Sequence, residues 1–387
     1  MKKTLIILIL IILYPVLSTA SDSEESRSYP DWVKRFTPSL DGLVYGSFNS
    51  LGSPLKKGST KHYHFNGAVN AGGEFQFSKN LYFGAMIHFG NGGDSYGFKT
   101  DDGVVVTDLY MRIESVIFKK LNFTIGSFDM PFGEQTEVVT NNASSINNPF
   151  LVNSLFYSIL SSPTGTLNTV GIMGEFELNH LKITASISNG TGEGAANPEE
   201  RFASVLKISY NYENKLKFAI SGIFSDDRKN DLLYTGLASK LLGGLFDFHW
   251  NFHSGKFDFN LRNYISIFRF DDENKITNKE IFYAGMSQIK ITWNKKFYLA
   301  FRGSFWRPED TDGDGNNITS SAPCAGYGCV WSESADLIQK DQMVIRYQAA
   351  LGYYYAKNIL FKITAFTDHY QYSSDAFSFV FSGTVNY

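Results

Sequence analysis

The chain has 387 residues, a formal net charge of −3 and charged side chains at only 19% of its positions. For a chain so weakly charged and slightly acidic overall, we expect no nucleic-acid partner. Phe, Tyr and Gly number 34, 22 and 34, which favours a β-rich fold. The length fits two ordinary domains or one large barrel.

The N-terminus has the pattern of a secretory signal peptide. Two lysines precede a long apolar run, and the small residues Ser18, Thr19 and Ala20 follow it. We predict cleavage after Ala20, so that residues 1–20 form a signal peptide. A membrane anchor is the alternative, but the apolar run is short for a transmembrane helix. Cleavage would remove two lysines and change the net charge from −3 to −5.

The rest of the chain alternates apolar and polar residues with a period of two. In residues 181–188, Leu, Ile, Ala and Ile occupy one face, whereas Lys, Thr, Ser and Ser occupy the other. Residues 257–262 and 340–352 show the same alternation. Each of these segments predicts a half-buried strand.

The connections between the predicted strands alternate between short and long. The short ones are tight, polar turns at residues 78–80, 119–120, 179–180, 213–214, 253–256, 294–296 and 357–358. The others are mostly longer and irregular, near residues 49–62, 91–102, 131–167, 190–200, 226–231, 271–279, 307–340 and 373–375. Short turns at one rim and long loops at the other are typical of outer-membrane barrels.

We therefore predict an all-β fold, a transmembrane antiparallel up-and-down β-barrel of sixteen strands over residues 40–387. Residues 21–39 would be a short polar periplasmic segment. An even strand number places both termini at the short-turn rim. Fourteen to eighteen strands stay open, because residues 232–252 are long for one strand and contain Gly243 and Gly244.

The C-terminal segment alternates as well and ends on an aromatic residue. One face carries Phe377, Phe379, Phe381, Gly383, Val385 and Tyr387. This pattern resembles the C-terminal assembly signal of Gram-negative outer-membrane proteins. The resemblance implies recognition by the barrel-assembly machinery, and an outer membrane with its lipid and lipopolysaccharide as surroundings. An ordinary edge strand is the alternative.

If the apolar faces contact lipid, the opposite faces line a water-filled lumen. The charged residues on those faces are Asp108, Arg112, Glu114, Lys182, Lys207, Arg262, Lys290, Arg302, Arg346 and Lys362. Four of them, the arginines, fall near the middle of their predicted strands. Such a ring would favour small anions. Pairing of these arginines with lumenal and loop carboxylates is the alternative, and would leave weak or cationic selectivity.

The longest connection in the first half, residues 131–167, is the candidate constriction loop. It is rich in Asn and Ser, and its apolar side chains could pack it against the inner wall. The residues that we expect in the constriction are Glu134, Glu137, Phe150, Phe156 and Tyr157. Long loops in compact proteins are usually functional or disordered, so a disordered surface loop is the alternative.

The strand that precedes this loop ends in GSFDMPFGEQ, residues 126–135. This ending resembles the strand-end motif of the phosphate-selective porin (O and P) family of Gram-negative bacteria. The resemblance implies a homotrimeric porin that passes small solutes, in some members phosphate. The phosphate specialists have lysine and arginine ladders, whereas this loop carries Glu134 and Glu137.

The connection at residues 307–340 holds two further candidates. Asp310, Asp312 and Asp314 stand at the offsets of a calcium loop, but the twelfth position is Ser321 and not Glu. A weak calcium site or an acidic, solvated loop fits these residues, and we expect no other cofactor. Cys324 and Cys329 predict a small-loop disulfide in an exported protein, with two free thiols as the alternative.

The sequence has no Gly-x-Ser-x-Gly, His-Glu-x-x-His or P-loop motif. We therefore do not expect an enzyme. The pattern indicates an outer-membrane porin for passive diffusion of small hydrophilic solutes or ions. The alternative is a barrel with a structural, adhesive or partner-sheathing role.

Overall fold

A computed structural model describes the chain in eleven ranges. They are residues 35–49, 63–90, 104–115, 120–133, 149–150, 168–188, 201–227, 240–271, 279–310, 343–370 and 376–386. The predicted signal peptide lies outside these ranges. The chain divides into two units, Met1–Phe36 and Thr37–Tyr387, and the second holds the barrel.

The described ranges contain sixteen β-strands. The first eight are β1 Phe36–Asn49, β2 Tyr63–Ser78, β3 Leu81–Gly90, β4 Val104–Ile113, β5 Leu121–Asp129, β6 Asn168–Leu178, β7 Leu181–Ser188 and β8 Arg201–Tyr212. The second eight are β9 Leu216–Asp227, β10 Lys240–Ser254, β11 Phe257–Asp271, β12 Lys279–Trp293, β13 Phe297–Asp310, β14 Val344–Ala356, β15 Ile359–Tyr370 and β16 Ala376–Asn386.

The strands form one closed barrel in which sequence neighbours pair. The first and last strands also pair, antiparallel, from Asp41 opposite Asn386 to Asn49 opposite Ser378. The predicted all-β barrel of sixteen strands is thereby confirmed. Within the described ranges, no helix is long and apolar enough to span a membrane.

The short turns gather at one rim, as predicted. Asn179, Asn214 and Asn294 have φ values of 53°, 56° and 50°. Asparagine tolerates this left-handed region better than most residues, so it suits tight turns between strands. The Lys296 amide donates to the carbonyl of Trp293 at 3.0 Å and closes one such turn.

The β4–β5 connection begins earlier than the sequence analysis placed it. β4 ends at Ile113, and Ser115 has a φ of 57°, so the chain turns well before residues 119–120. The Glu114 amide donates to the carbonyl of Asn80 on the neighbouring turn at 2.8 Å. Arg112 therefore lies next to the short-turn rim, and its prediction near mid-strand was wrong.

β10 is described as one strand that begins at Lys240, so Gly243 and Gly244 do not divide it. Residues 228–239, which precede it, lie outside the described ranges. Packing requires glycine at position 243, because a Cβ there would lie 2.5 Å from Cδ1 of Phe268. β13 also runs further than expected, to Asp310, so residues 307–310 belong to the wall.

The two faces of the barrel have inverted polarity. Ile265 points outward and is 64% exposed, whereas its neighbour Ser266 points inward and is 3% exposed. The same alternation holds along β7, β8, β9 and β14. The buried inner face includes many polar side chains, among them Thr184, Ser186, Lys207, Ser221, Asp247, Gln288, Arg302, Arg346, Gln348 and Lys362. An apolar exterior over a polar interior is the arrangement of membrane barrels.

Gly126 in β5 provides a test of the wall geometry. Its φ is 121°, and a Cβ there would lie 2.3 Å from the carbonyl oxygen of Leu109 on β4. We expect Gly126→Ala to lower the free energy of unfolding by about 1–3 kcal/mol, because it strains the β4–β5 pairing. Urea titration of the refolded barrel in lipid vesicles measures this change.

Gly174 on neighbouring β6 is the matched control. A Cβ there meets its nearest atom, Cε1 of Phe123, at an ordinary 3.5 Å. Gly174→Ala should change the free energy of unfolding by less than about 1 kcal/mol. Equal losses in the two variants would contradict the strain argument.

Candidate functional site in the barrel interior

The chain turns into the barrel directly after β5. Met130, Pro131, Phe132 and Gly133 are all buried. Proline has no amide for a sheet ladder, so strand pairing stops at Pro131. Gly133 then adopts a φ of 74°, which redirects the chain at little steric cost. The end of β5 thus aims the start of the candidate constriction loop at the inner wall.

The loop start is fixed against the wall formed by β8 to β11. The Gly133 amide donates to Oγ of Ser221 at 3.1 Å, and Nζ of Lys207 donates to the Gly133 carbonyl at 3.4 Å. The ring centroids of Phe132 and Phe268 are 5.7 Å apart. We call residues 130–133 with these partners the first anchor.

Residues 149–150 of the same loop contact the wall formed by β13 to β15. The Tyr298 hydroxyl donates to the carbonyl of Pro149 at 2.8 Å. Phe150 is fully buried in an apolar cluster with Tyr298, Ala300, Ala350 and Leu360. The guanidinium carbon of Arg302 lies 4.1 Å from the Phe150 ring centroid. We call these contacts the second anchor.

Glycines on the inner face make room for the aromatic rings of both anchors. A Cβ at Gly352 would lie 2.0 Å from Cε1 of Tyr298, and one at Gly243 would lie 2.5 Å from Cδ1 of Phe268. Each ring therefore lies across the backbone of a neighbouring strand. This placement positions Tyr298 to reach Pro149 and Phe268 to reach Phe132.

Cations beside the second anchor are held by amides and rings. Arg302 donates from Nη2 to Oε1 of Gln288 at 2.7 Å, and from Nη1 to Oε1 of Gln348 at 3.3 Å. Nζ of Lys290 donates to the Tyr354 hydroxyl at 3.0 Å and lies 4.7 Å from the Tyr298 ring centroid. These contacts orient the two cationic side chains.

Cations on the wall formed by β2 to β7 make ion pairs instead. Nη2 of Arg112 lies 2.8 Å from Oε1 of Glu74, and its Nε lies 3.2 Å from Oε1 of Glu114. Nζ of Lys182 lies 2.5 Å from Oε1 of Glu175. Carboxylates therefore hold the two cations of this wall in place.

The structure brings together only part of the predicted ring of arginines. Arg262 and Arg302 lie well inside their strands, and Nε of Arg262 donates to Oδ1 of Asn260 at 3.2 Å. Arg346 is the third residue of β14, with its guanidinium carbon 5.1 Å from the Phe366 ring centroid. Lys362 is buried on the same inner face. Arginines at these different heights do not form one ring.

Several predicted site residues lie outside the residues or side chains that the structure describes. They are Glu134, Glu137, Phe156, Tyr157, Asp312, Asp314, Cys324, Cys329 and the side chain of Asp108. Asp310 is the last residue of β13. Among the described residues, no group of three or more His, Cys, Asp and Glu side chains could hold a metal ion.

Sequence reasoning did not single out the partners of the anchors. Ser221, Phe268 and Tyr298 look like ordinary strand residues, although the period of two places each of them on the inner face. His249 and Tyr264 form another buried inward pair, with Nε2 of His249 2.6 Å from the Tyr264 hydroxyl. Inward parity combined with aromatic character is the signal that could have found Phe268, Tyr298 and Tyr264.

No protein-family model and no curated protein matches the chain. Solved structures do resemble it. OprB of Pseudomonas putida has a TM-score of 0.62 at 8% identity, over 92% of this chain and 95% of that chain. The anion-selective porin from Comamonas acidovorans has a TM-score of 0.58 at 6% identity, over 91% of this chain and 100% of that chain.

The outer membrane protein OmpT of Vibrio cholerae, in a trimer form, is also similar. Its TM-score is 0.57 at 10% identity, over 91% of this chain and 99% of that chain. Identities this low show a shared fold and do not establish the predicted phosphate-selective family. The chain therefore has the barrel architecture of Gram-negative outer-membrane channels.

The second anchor can be tested at its hydrogen bond. Tyr298→Phe removes the donor to Pro149 but keeps the ring beside Lys290. We expect the loop to lose about 0.5–1.5 kcal/mol of local stability, so that amide exchange at Phe150 becomes about threefold to tenfold faster. Hydrogen–deuterium exchange with mass spectrometry measures the rate.

Tyr355→Phe is the matched control, because the Tyr355 side chain points outward and is 69% exposed. It should leave exchange at Phe150 unchanged. The same exchange rate in wild type and Tyr298→Phe would show that the hydroxyl does not hold the loop.

Proposed function

We propose that the chain is an outer-membrane porin, a water-filled barrel for passive diffusion of small hydrophilic solutes. One observation carries the proposal: a closed barrel with an apolar exterior and a polar interior, into which both anchors project. Only closed barrels and helices satisfy the backbone hydrogen bonds inside a lipid bilayer. A barrel of sixteen strands is too wide for its own side chains to fill.

The loop at residues 131–167 is proposed to form the constriction. Its start contacts the wall of β8 to β11, and residues 149–150 contact the wall of β13 to β15. Chain that touches two separated parts of the inner wall occupies cross-section that solutes would otherwise use. In a porin, pore diameter and the groups that line it determine which solutes pass.

The proposed preference is for anions, and it comes from the wall beside the second anchor. Lys290 and Arg302 project inward there and contact a tyrosine and two glutamines. On the opposite wall, Arg112 and Lys182 lie within ion-pair distance of glutamates. Cationic side chains that project into the lumen would raise the local concentration of small anions there. Phosphate, which the motif at residues 126–135 implies in part of the family it resembles, is one such anion.

A homotrimer is proposed as the assembly, because a trimer form occurs for a barrel of similar fold. A partner-sheathing or adhesive barrel is the alternative function. A sheath around a polypeptide needs an open lumen, and the buried positions of Phe132 and Phe150 disfavour it.

Conductance of the purified protein in a planar lipid bilayer tests the porin function. We expect stable ohmic steps, because the lumen of a porin with this many strands would be a continuous aqueous path. Protein that inserts but gives no such steps would contradict the porin and favour the structural alternative.

The selectivity is tested with the double variant Lys290→Gln/Arg302→Gln. Removing both inward charges should lower the anion-over-cation permeability ratio on the order of twofold, because less positive potential remains beside the second anchor. The reversal potential under a salt gradient measures this ratio.

Lys295→Gln/Lys296→Gln is the matched control, since it removes two exposed charges from a short turn outside the lumen. The control should keep the ratio of wild type. A reversal potential unmoved by the lumenal variant would contradict the anion preference.

A further inference from the structure

The short-turn rim carries a ring of lysines. The turn residues in the described ranges include Lys79, Lys120, Lys215, Lys256, Lys295, Lys296 and Lys357, and all seven are exposed. Every short connection except that at Asn179 and His180 contributes at least one of them. The chain as a whole has a net charge of −3, so this basic edge stands out from an acidic protein.

Acidic side chains do little to offset this charge. Among the same turn residues, the carboxylates are Glu114 and Glu213, and Oε1 of Glu114 lies 3.2 Å from Nε of Arg112 on the inner wall. The contacts of Glu213 are with Lys215. Nζ of Lys215 donates to its Oε2 at 2.6 Å, and this hydrogen bond lowers the pKa of Glu213 and raises the pKa of Lys215. Both groups therefore stay charged at neutral pH, and six lysines of the ring remain beyond this pair.

An outward aromatic collar follows the same rim. It consists of Phe77, Tyr212, Phe252, Phe257, Trp293, Phe297 and Tyr355, which are between 45% and 69% exposed. Each lies within a few residues of a turn, on the outer face of its strand. Aromatic side chains in such a girdle lie at the headgroup level of a bilayer. The lysines lie in the turns next to this collar, and their side chains are therefore within reach of the lipid phosphates.

The spacing of the lysines favours many separate ligands over one. Successive short turns are separated by two strands, and neighbouring strands are about 4.8 Å apart, so the turns follow one another at about 10 Å. Lysines this far apart around the whole rim cannot converge on one small anion. They can each contact the headgroup of a different lipid, with the long side chain lying along the apolar wall.

We propose that the lysine ring binds anionic phospholipid headgroups in the leaflet at the short-turn rim. This inference rests on the proposed placement of the barrel in a membrane. Positive side chains beside an anionic leaflet gain electrostatic energy that salt screens. The aromatic collar and the lysine ring together fix the depth of the barrel, because one prefers the interface and the other the phosphates. The collar favours a lipid surface over an acidic soluble protein as the partner.

Trp293 provides a local reporter, because it is 48% exposed on the outer face and directly precedes the turn of Lys295 and Lys296. The chain has five tryptophans, so a variant with the other four changed to Phe isolates its fluorescence. The full-length protein is refolded into phosphatidylcholine vesicles that contain brominated phosphatidylcholine or brominated phosphatidylglycerol. Quenching by each lipid gives the relative binding constant of the two headgroups next to Trp293.

We expect phosphatidylglycerol to be preferred by at least about twofold at low salt, with the preference lost as salt rises. Lys295→Gln/Lys296→Gln should abolish the preference at Trp293. Lys79→Gln/Lys120→Gln removes the same charge from distant turns of the same rim and should leave it intact.

Equal quenching by the two lipids in the protein with all its lysines would contradict headgroup binding by the lysine ring. It would not affect the proposed porin function. An equal loss of preference in both double variants would also contradict headgroup binding by the lysine ring, since net charge and not local contact would then be the cause. Absence of quenching by either lipid would instead contradict the membrane placement on which the porin rests.

Discussion

The structure depends on the pairing of β1 with β16, which closes the hydrogen-bond ladder of the barrel. An open sheet of this size would leave two edges of unsatisfied amides and carbonyls, which a lipid bilayer cannot solvate. Closure removes both edges and gives every strand an inside and an outside. The alternation of apolar and polar residues then has one consistent meaning around the wall. The inverted polarity, the lysine rim and the inward loop contacts are all arranged relative to this closed wall.

The inward course of the loop is set by the residue at which β5 stops pairing with its neighbours. Pairing on β5 ends at Pro131, and Gly133 sends the chain toward β8 to β11 and not outward. From there the loop reaches the wall of β13 to β15 at Pro149. Both anchors lie on the half of the barrel that β8 to β15 form, while the wall of β2 to β7 has the ion pairs of Arg112 and Lys182. The proposed channel would therefore run beside the loop.

Most of the wall could be predicted from the sequence, because strand alternation and turn chemistry are local. The favoured number of sixteen strands, most of the turn positions and the inward faces of Lys207, Arg302 and Arg346 follow from a period of two. The height of a residue along the barrel axis depends on where its strand begins and ends. The chain turns at Ser115, earlier than predicted, so Arg112 lies next to the rim. The packing requirement for glycine at position 243 could not be predicted, because it comes from the Phe268 ring on the neighbouring strand. The anchors were also out of reach, because 149 positions separate Tyr298 from Pro149.

The inside-out arrangement of the barrel is tested most directly by cysteine labelling in sealed vesicles. With Cys324 and Cys329 changed to Ser, single cysteines replace Lys182 on the inner face or Ile187 on the outer face of β7. A charged, membrane-impermeant maleimide should label residue 182 and spare residue 187, because water fills the lumen and lipid covers the exterior. Labelling of residue 187 with protection of residue 182 would contradict the account.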